Sequence, residues 1–549
     1  MSAPRFIFVA LLALITPPFG LGADKPNKGA AAKHAKSAHT AGVLPTAASS
    51  SPGNALFATN APIRTFKIQV SGGELTALQK DNRAYVRGIV TVGTNVFKDV
   101  GVHLKGNGSF RPLNEKPSLV MRFDRFVPGQ RFLGLSKIAL NSSSQDATYL
   151  ADFTANSLFA DANVPISRVT HARVTLNGRE LGLYVLIEMH NKEFLKRWFH
   201  NAHGNLYEAY LADVDSNMDQ DNGSDSSQSD RKQLAEIVKI PDPTNRWMQL
   251  QKILDVDRYV SHLVCEIFTS HTDGYAMNRN NYRIYHNPDD SRFTFLGHGV
   301  DWGFQNTGVP IRPPMNALVT KAVLGTPEGV RLFKERFGLL FTNAFRLEVL
   351  TNRVNVAVAR LVAQAKDANE SKEYLRYGAE MNNRLVARWQ NITNQYYREP
   401  PLVLAFDGHG IAKLSGWRKK TDRQSAPAIH ERTLDGSRHV LHISTTTNAY
   451  SVASWRTKIL LPQGRYVFEG DLRGAGIIAQ TNAVGLGAGL RISQGKREAK
   501  LVGDAPWTHM QYDVKIEEPE SDVELVCELR AVRGDVWFDE DSLRVRKRP

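Results

Sequence analysis

Asp273 and Asp301 stand in a stretch of sequence whose residue types and spacing suit phosphoryl transfer. His271-Thr272-Asp273 closes a helical pattern, and Asn278 follows. NYRIYH then reads as a strand, Asn287-Pro288-Asp289-Asp290 as a turn, and SRFTFLGHGV as a second strand that delivers Asp301-Trp302-Gly303. Transfer from a nucleoside triphosphate needs few protein parts. One carboxylate takes or orients the proton of the incoming hydroxyl; an amide oxygen and a second carboxylate hold the metal that bridges the phosphates. Asp273 suits the first role, and Asn278 with Asp301 the second. A hairpin brings its two ends together, so Asn278 and Asp301 are expected to share an ion. Each piece alone is common, and Asp before Gly often marks only a turn. Their order, joined by a hairpin, is what points to a site.

Phosphates also need donors. Lys105-Gly106-Asn107-Gly108-Ser109 sits between two strand patterns, and backbone N–H groups in a Gly-rich turn approach phosphate closely. A plain β-turn is the alternative reading of Gly106 and Gly108. Ser142–Ser144 and Asp146 read as the start of a helix, capping its free N–H groups. No G-x-S-x-G accompanies an acid and a histidine, which sets a serine hydrolase aside.

These residues must be positioned by two different halves. From Arg64 to about 190 the pattern is mostly β, with Asn177-Gly178 between alternating runs as a two-residue hairpin turn and one helix over 147–160. From 247 the pattern turns helical, first over 247–270 and again over 328–397. A strand-rich lobe followed by a helix-rich lobe implies a cleft between them, where ligands prefer to bind. The acidic stretch 211–230 fails the spacing of a calcium loop, with Met218 where glycine is needed and Ser224 where glutamate is needed; it reads as a solvated surface loop. After Pro400-Pro401 only short alternating runs remain, which predicts an all-β sandwich. Trp417, Trp455, Trp507 and Trp537 in that region are either core or sugar-stacking residues.

Bulk properties bound the rest. The 549 residues, 42% hydrophobic and 23% charged, exceed one core. Arg5, the apolar run 6–15 and the small residues near 20–23 read as a secretory leader over 1–23; residues 24–60 are too polar and small to bury a core and read as a disordered linker. Export follows, to the periplasm, the cell surface or the medium. No later stretch is long and apolar enough to span a membrane. Cys265 and Cys527 lie in apolar runs and read as buried thiols. The net charge of +14 is spread along the chain without a nucleic-acid motif, so no nucleic-acid partner is expected.

HTDGYAMNRNNYRIY and GHGVDWGF resemble the catalytic and metal-binding segments of the spore-coat CotH kinases. VHLKGNGSFRPLNEKPSLVMRF, RFLGLSKIALNSSSQDATYL, ARVTLNGRELGLYVLIE and FLKRWFHNAHGNLYE resemble further blocks in the family's order, covering about 64–390. The resemblance implies an atypical kinase fold, ATP with Mg²⁺ or Mn²⁺, and a protein Ser/Thr hydroxyl as acceptor. It places a basic residue at Lys116, to reach the phosphates, and an acid at Glu188, to orient that lysine. It also exposes a departure. Many members have two acids, Asp-x-Asp, where this chain has Gly299-Val300-Asp301. The C-terminal region resembles galactose-binding-like jelly rolls of carbohydrate-binding modules, most clearly in GDVWFDEDSLRVR.

The expected protein is therefore multidomain: an α+β two-lobed kinase-like domain over 61–398, then an all-β jelly-roll sandwich over 401–549. The expected activity is protein phosphorylation by an exported enzyme. A catalytically weak scaffold, and a binder of cell-surface glycan through the sandwich, are the alternatives.

Overall fold

The computed structural model describes residues 53–548, apart from 398–400, 423, 447–448, 482–484, 494, 497 and 499. The expected leader, most of the expected linker and Pro400 of the expected domain boundary lie outside the described residues. The last part of the linker is ordered, against expectation. Gly53 adopts a φ of +78°, its N–H donates to the Leu133 carbonyl (2.9 Å), and Leu56 is buried.

The first half is a closed barrel of seven strands: β1 (Arg64–Val70), β2 (Val86–Val92), β3 (Asn95–Lys105), β4 (Ser118–Arg122), β5 (Lys137–Asn141), β6 (Val169–Leu176) and β7 (Arg179–Glu188). The order β1-β2-β3-β4-β5-β7-β6 closes through a parallel β1–β6 pair. Alternation drives closure: Phe66, Ile68 and Val70 on β1, and Val86, Val90 and Val92 on β2, point into one apolar core. Asn177 and Gly178 both have positive φ (50° and 81°) between paired Leu176 and Arg179, as the hairpin reading requires. The expected helix runs Ala151–Asp161. Asp146 supplies its first turn with acceptors, taking the N–H groups of Leu150 (2.9 Å) and Ala151 (2.8 Å). Helix Gly72–Lys80 has no counterpart in the sequence reading, because its opening Gly72-Gly73 looks like a turn; Ser71 caps it.

The second half carries a sheet of order β11-β10-β8-β9, built from β8 (Asn205–Glu208), β9 (Asp219–Asn222), β10 (Tyr282–Asn287) and β11 (Arg292–Gly297). Helices Val256–Phe268, Pro327–Asn343, Leu347–Val362 and Ala368–Tyr396 pack around a common core with Cys265 inside it. The acidic stretch 211–230 departs from the expected solvated loop. Asp213 is buried and accepts from Tyr275 Oη (2.7 Å) and the Leu318 N–H (2.8 Å).

Beyond Pro401 the described residues form strands only, around a separate core that holds Trp417, Trp455 and Cys527. The all-β expectation stands. The hydrogen-bond network among the described residues links ten strands in one branched sheet. Two long strands, Ser451–Ile478 and Gly503–Ala531, pair along most of their length and bend at register shifts such as Pro462/Gly464, which keeps the network continuous. No helix among the described residues is long and apolar enough to cross a membrane.

Candidate functional site

Asp273 follows the C-terminus of helix Val256–Phe268 in a tight loop. Its carboxylate accepts from three asparagine amides: Asn278 Nδ2 on Oδ1 (2.5 Å), and Asn280 Nδ2 (3.2 Å) and Asn281 Nδ2 (2.7 Å) on Oδ2. The structure thus joins Asp273 to Asn278 directly. Asn280 and Asn281 were not singled out in sequence, although the run Asn278–Asn281 sets three amides within four positions. Below the loop, the buried Glu266 accepts the N–H groups of Tyr275 (2.7 Å) and Ala276 (3.0 Å). Burial, opposed by those two bonds, pushes its carboxyl up to about 8. Gly274 is required there, because a Cβ would lie 2.3 Å from Glu266 Oε1. Burial pulls His271 down to about 4, so the imidazole is neutral.

The β10–β11 hairpin pairs Tyr282 with Gly297 and so returns the chain to the Asp273 loop. The turn that follows carries Asp301 in a short 3₁₀ helix, Val300–Trp302, and is pinned by the Phe304 N–H on the Thr269 carbonyl (2.6 Å). Gly299 has a φ of +59°, and a Cβ there would meet Asn281 Oδ1 at 2.6 Å. Asn281 therefore touches both halves of the site, its amide NH₂ on Asp273 and its oxygen against Gly299. Asn278 is shown only on the Asp273 side.

Helix Ala151–Asp161 packs on the Asp301 turn, with Ala155 Cβ 3.4 Å from the position a Gly303 Cβ would take. This brings the buried Asp152 to Asp301. Burial raises both carboxyls above their ordinary value; Asp301 raises Asp152 further, and Lys105 opposes both shifts. The Asn141 side chain lowers both carboxyls back toward their ordinary value, and its oxygen accepts from Ser118 Oγ (3.3 Å) and the Ser143 N–H (3.1 Å). Asp152 and Asn141 were missed in sequence, since neither lies near the 271–303 segment.

Lys105, at the end of β3, stands close enough to stabilise both acids electrostatically. Gly106 is needed for its φ of +107° and for the close approach of the Phe110 N–H, 2.9 Å from where a Cβ would sit; Gly108 faces open space. Lys116 and Glu188 do not meet, contrary to the expectation drawn from the family. Glu188 is buried between Arg168 and Arg197 (2.6 Å each), whose charges more than offset its burial and hold its carboxyl low. Lys116 donates to Tyr149 Oη (2.6 Å) and lies over the Tyr149 and Tyr184 rings. Burial pulls the amine down to about 8.

In the C-terminal region Trp417 and Trp455 belong to the core and offer no sugar platform. Trp537 is flanked by the stacked His442 ring (4.8 Å) and by Arg473 (4.2 Å), and Trp507 lies under Arg438 (4.8 Å).

The sequence profile of a family described as CotH kinase protein matches residues 102–399. No curated protein matches the chain. Among solved structures, the Helicobacter pylori proinflammatory kinase CtkA is similar at 6% identity over 54% of this chain and 97% of that one, with a TM-score of 0.25. TmCBM61, solved with β-1,4-galactotriose, is similar at 15% identity over 25% of this chain and 91% of that one (TM-score 0.17). The CBM22-1 xylan-binding domain of Paenibacillus barcinonensis Xyn10C gives 15% identity over 25% and 87% (TM-score 0.16).

Proposed function

Because the chain belongs to the CotH kinase protein family, we propose that it transfers the γ-phosphoryl group of ATP to a protein hydroxyl, and that Asp273 and Asp301 are its working acids. The observation that carries this reading is Asn281, one side chain in contact with the Asp273 carboxylate and with the turn that leads into Asp301. Three amide donors hold the Asp273 carboxylate in one orientation, as a group that positions an incoming hydroxyl must be held. Asn278 spends its NH₂ on Asp273, which leaves its amide oxygen as a hard donor. That oxygen and the Asp301 carboxylate suit Mg²⁺ or Mn²⁺, which would neutralise the phosphate oxygens. Lys105, at the end of β3, adds positive charge on the barrel side of Asp301. Lys116 forms no ion pair among the described residues and is available to an anion.

The leader reading supports export, which a fusion of residues 1–23 to a reporter active only outside the cytoplasm would test. A second reading assigns glycan binding to the C-terminal region. It is favoured by an open cavity of about 600 Å³ lined by Lys413, Arg432, His439, Glu540 and Asp541. Polar groups, and not the tryptophans, would contact sugar hydroxyls there.

The main test is thermal shift with ATP and Mn²⁺ beside radiolabel transfer. Asp301→Ala is expected to lose the metal-dependent shift, whereas Asp273→Ala keeps most of it and loses transfer. An unchanged shift in Asp301→Ala, or labelling at the parent rate in Asp273→Ala, would overturn these roles.

A further inference from the structure

One face of the C-terminal sheet carries basic side chains in register. Alternation sends Trp455, Cys527 and Leu490 into the core, so their neighbours in sequence line the opposite, outer face. Strand pairing aligns Arg418, Arg456, Val526 and Arg491 across strands Arg418–Thr421, Ser451–Ile478, Gly503–Ala531 and Gly487–Ile492. Three strand steps make that row roughly 14 Å long. The next row is Lys420, Ser454, Glu528 and Gly489, and one row further Arg530 lies between Val452 and Gly487. Gly489 leaves room for Lys500, whose Cγ is 3.0 Å from where a Cβ would sit.

Charge on these rows does not balance. The fully buried Glu528 serves three cations: Arg491 Nε at 2.8 Å, Arg530 Nε at 3.5 Å, and Lys500 in direct contact. Arg456 has its own partner in Glu524 (2.8 Å). The Arg530 side chain is 13% exposed, its Nε is buried without a hydrogen-bond partner, and neither Nη donates to a side chain or carbonyl among the described residues. This guanidinium lacks the acceptors that sunken donors ordinarily have.

Deepening the glycan-binding reading of this region, on which the inference rests, we propose that this outer face binds an acidic polysaccharide, one whose sugar rings carry carboxylates, with Arg530 as a principal contact. Guanidinium forks match planar carboxylates. The rows hold no aromatic side chain on which a nucleic-acid base would stack. The two middle strands are paired on both sides, which leaves no backbone edge for an acidic peptide to join. Glu524, 23% exposed, would accept from sugar hydroxyls, a role it could not play toward a polymer of phosphates. Lys458 and Glu524 line a cavity of about 840 Å³, which gives a polymer room at that end. The face uses other strands than the cavity at Lys413 and Arg432.

The test is binding of the full chain to immobilised polygalacturonate, neutral galactan, poly-glutamate and single-stranded oligothymidylate at physiological salt. Polygalacturonate is expected to bind at least about tenfold more tightly than the other three. Arg530→Gln is expected to weaken that binding by about tenfold. Lys420→Gln, at an exposed side chain, is expected to weaken it by about threefold. If Arg530→Gln melts at a lower temperature, Lys420→Gln decides. Parent-like affinity in the deciding variant overturns the proposal, as does binding of poly-glutamate or oligothymidylate as tight as that of polygalacturonate. Binding of neutral galactan alone overturns the proposal and leaves the glycan reading intact. No binding to either polysaccharide overturns both.

Discussion

Glu266 shows how one buried side chain sets a pH dependence. Its carboxyl is raised to about 8 in the fold against an ordinary value of 4.5, so the folded chain keeps a proton that the unfolded chain releases first. The stability this provides is complete below about 4.5 and disappears as pH rises through about 8. The parent melting temperature is expected to fall over that interval, and Glu266→Gln to flatten the fall. Identical slopes in the two proteins would place the titration elsewhere. The same substitution leaves one of the Tyr275 and Ala276 N–H groups without an acceptor, at a cost of about 1–3 kcal/mol. Lys116 gives a second titration. With its amine lowered to about 8, nucleotide affinity is expected to weaken as pH rises past that value, and Lys116→Met to abolish this pH dependence. An unaltered profile in Lys116→Met would remove the lysine from the phosphate site. At this scale the sequence exposed Asp273, Asn278 and Asp301, because they sit together in one segment. It hid Asp152, Asn141 and Glu266, since nothing along the chain reveals which buried acid a fold will set beside another.

Helix Ala151–Asp161 depends on Asp146, which lies outside it. Asp146 accepts from the Leu150 and Ala151 N–H groups and pairs with Arg384 (3.2 Å). Asp146→Ala is expected to destabilise the chain by about 1–3 kcal/mol through the lost cap and one lost partner of Arg384, which keeps its pair with Glu380, read by denaturant unfolding. Mn²⁺ binding should weaken with it, because the helix that the cap starts packs on the Asp301 turn. A variant as stable as the parent would show that the helix needs no such start. On the far side of the site, the fully buried Arg388 in helix Ala368–Tyr396 donates to the carbonyls of Ile267, Phe268, Thr307 and Val309. It ties the end of the helix before Asp273 to the segment after Asp301. Patterns of period two and period three to four revealed the β10–β11 hairpin and helix Ala151–Asp161. They missed Gly72–Lys80, where two glycines disguise a capped start, and misjudged 211–230, where acidic composition concealed Asp213 inside the core.

The boundary near Pro400-Pro401 separates two cores but not two surfaces. The C-terminal strands enclose their own apolar cluster, while Arg312 pairs with Asp522 (2.9 Å) and Lys334 with Glu520 (3.3 Å) across to the helical lobe. Half-exposed ion pairs of this kind contribute about 0–1 kcal/mol each. Residues 401–549 are therefore expected to fold alone, with a β-type circular dichroism spectrum and one cooperative melt. Aggregation of that fragment, together with a destabilised 53–400 fragment, would show that the two parts stabilise each other. All-β character after 401 was legible in the turn-punctuated runs. The single continuous sheet was not, because bends within a strand 28 residues long look, in sequence, like turns between short strands.

The closed barrel has one more consequence, for recruitment. Each of its seven strands has a neighbour on both sides, so it presents no open backbone edge to an incoming extended peptide. A client that binds by lending a strand must look elsewhere. The outer strand Ile429–Asp435 of the C-terminal sheet offers such an edge, and there Glu431, Arg432 and Asp435 stud the seam with charge of both signs. That charge guards the edge against self-association between copies of the chain, and it would admit only a peptide whose charges alternate to match.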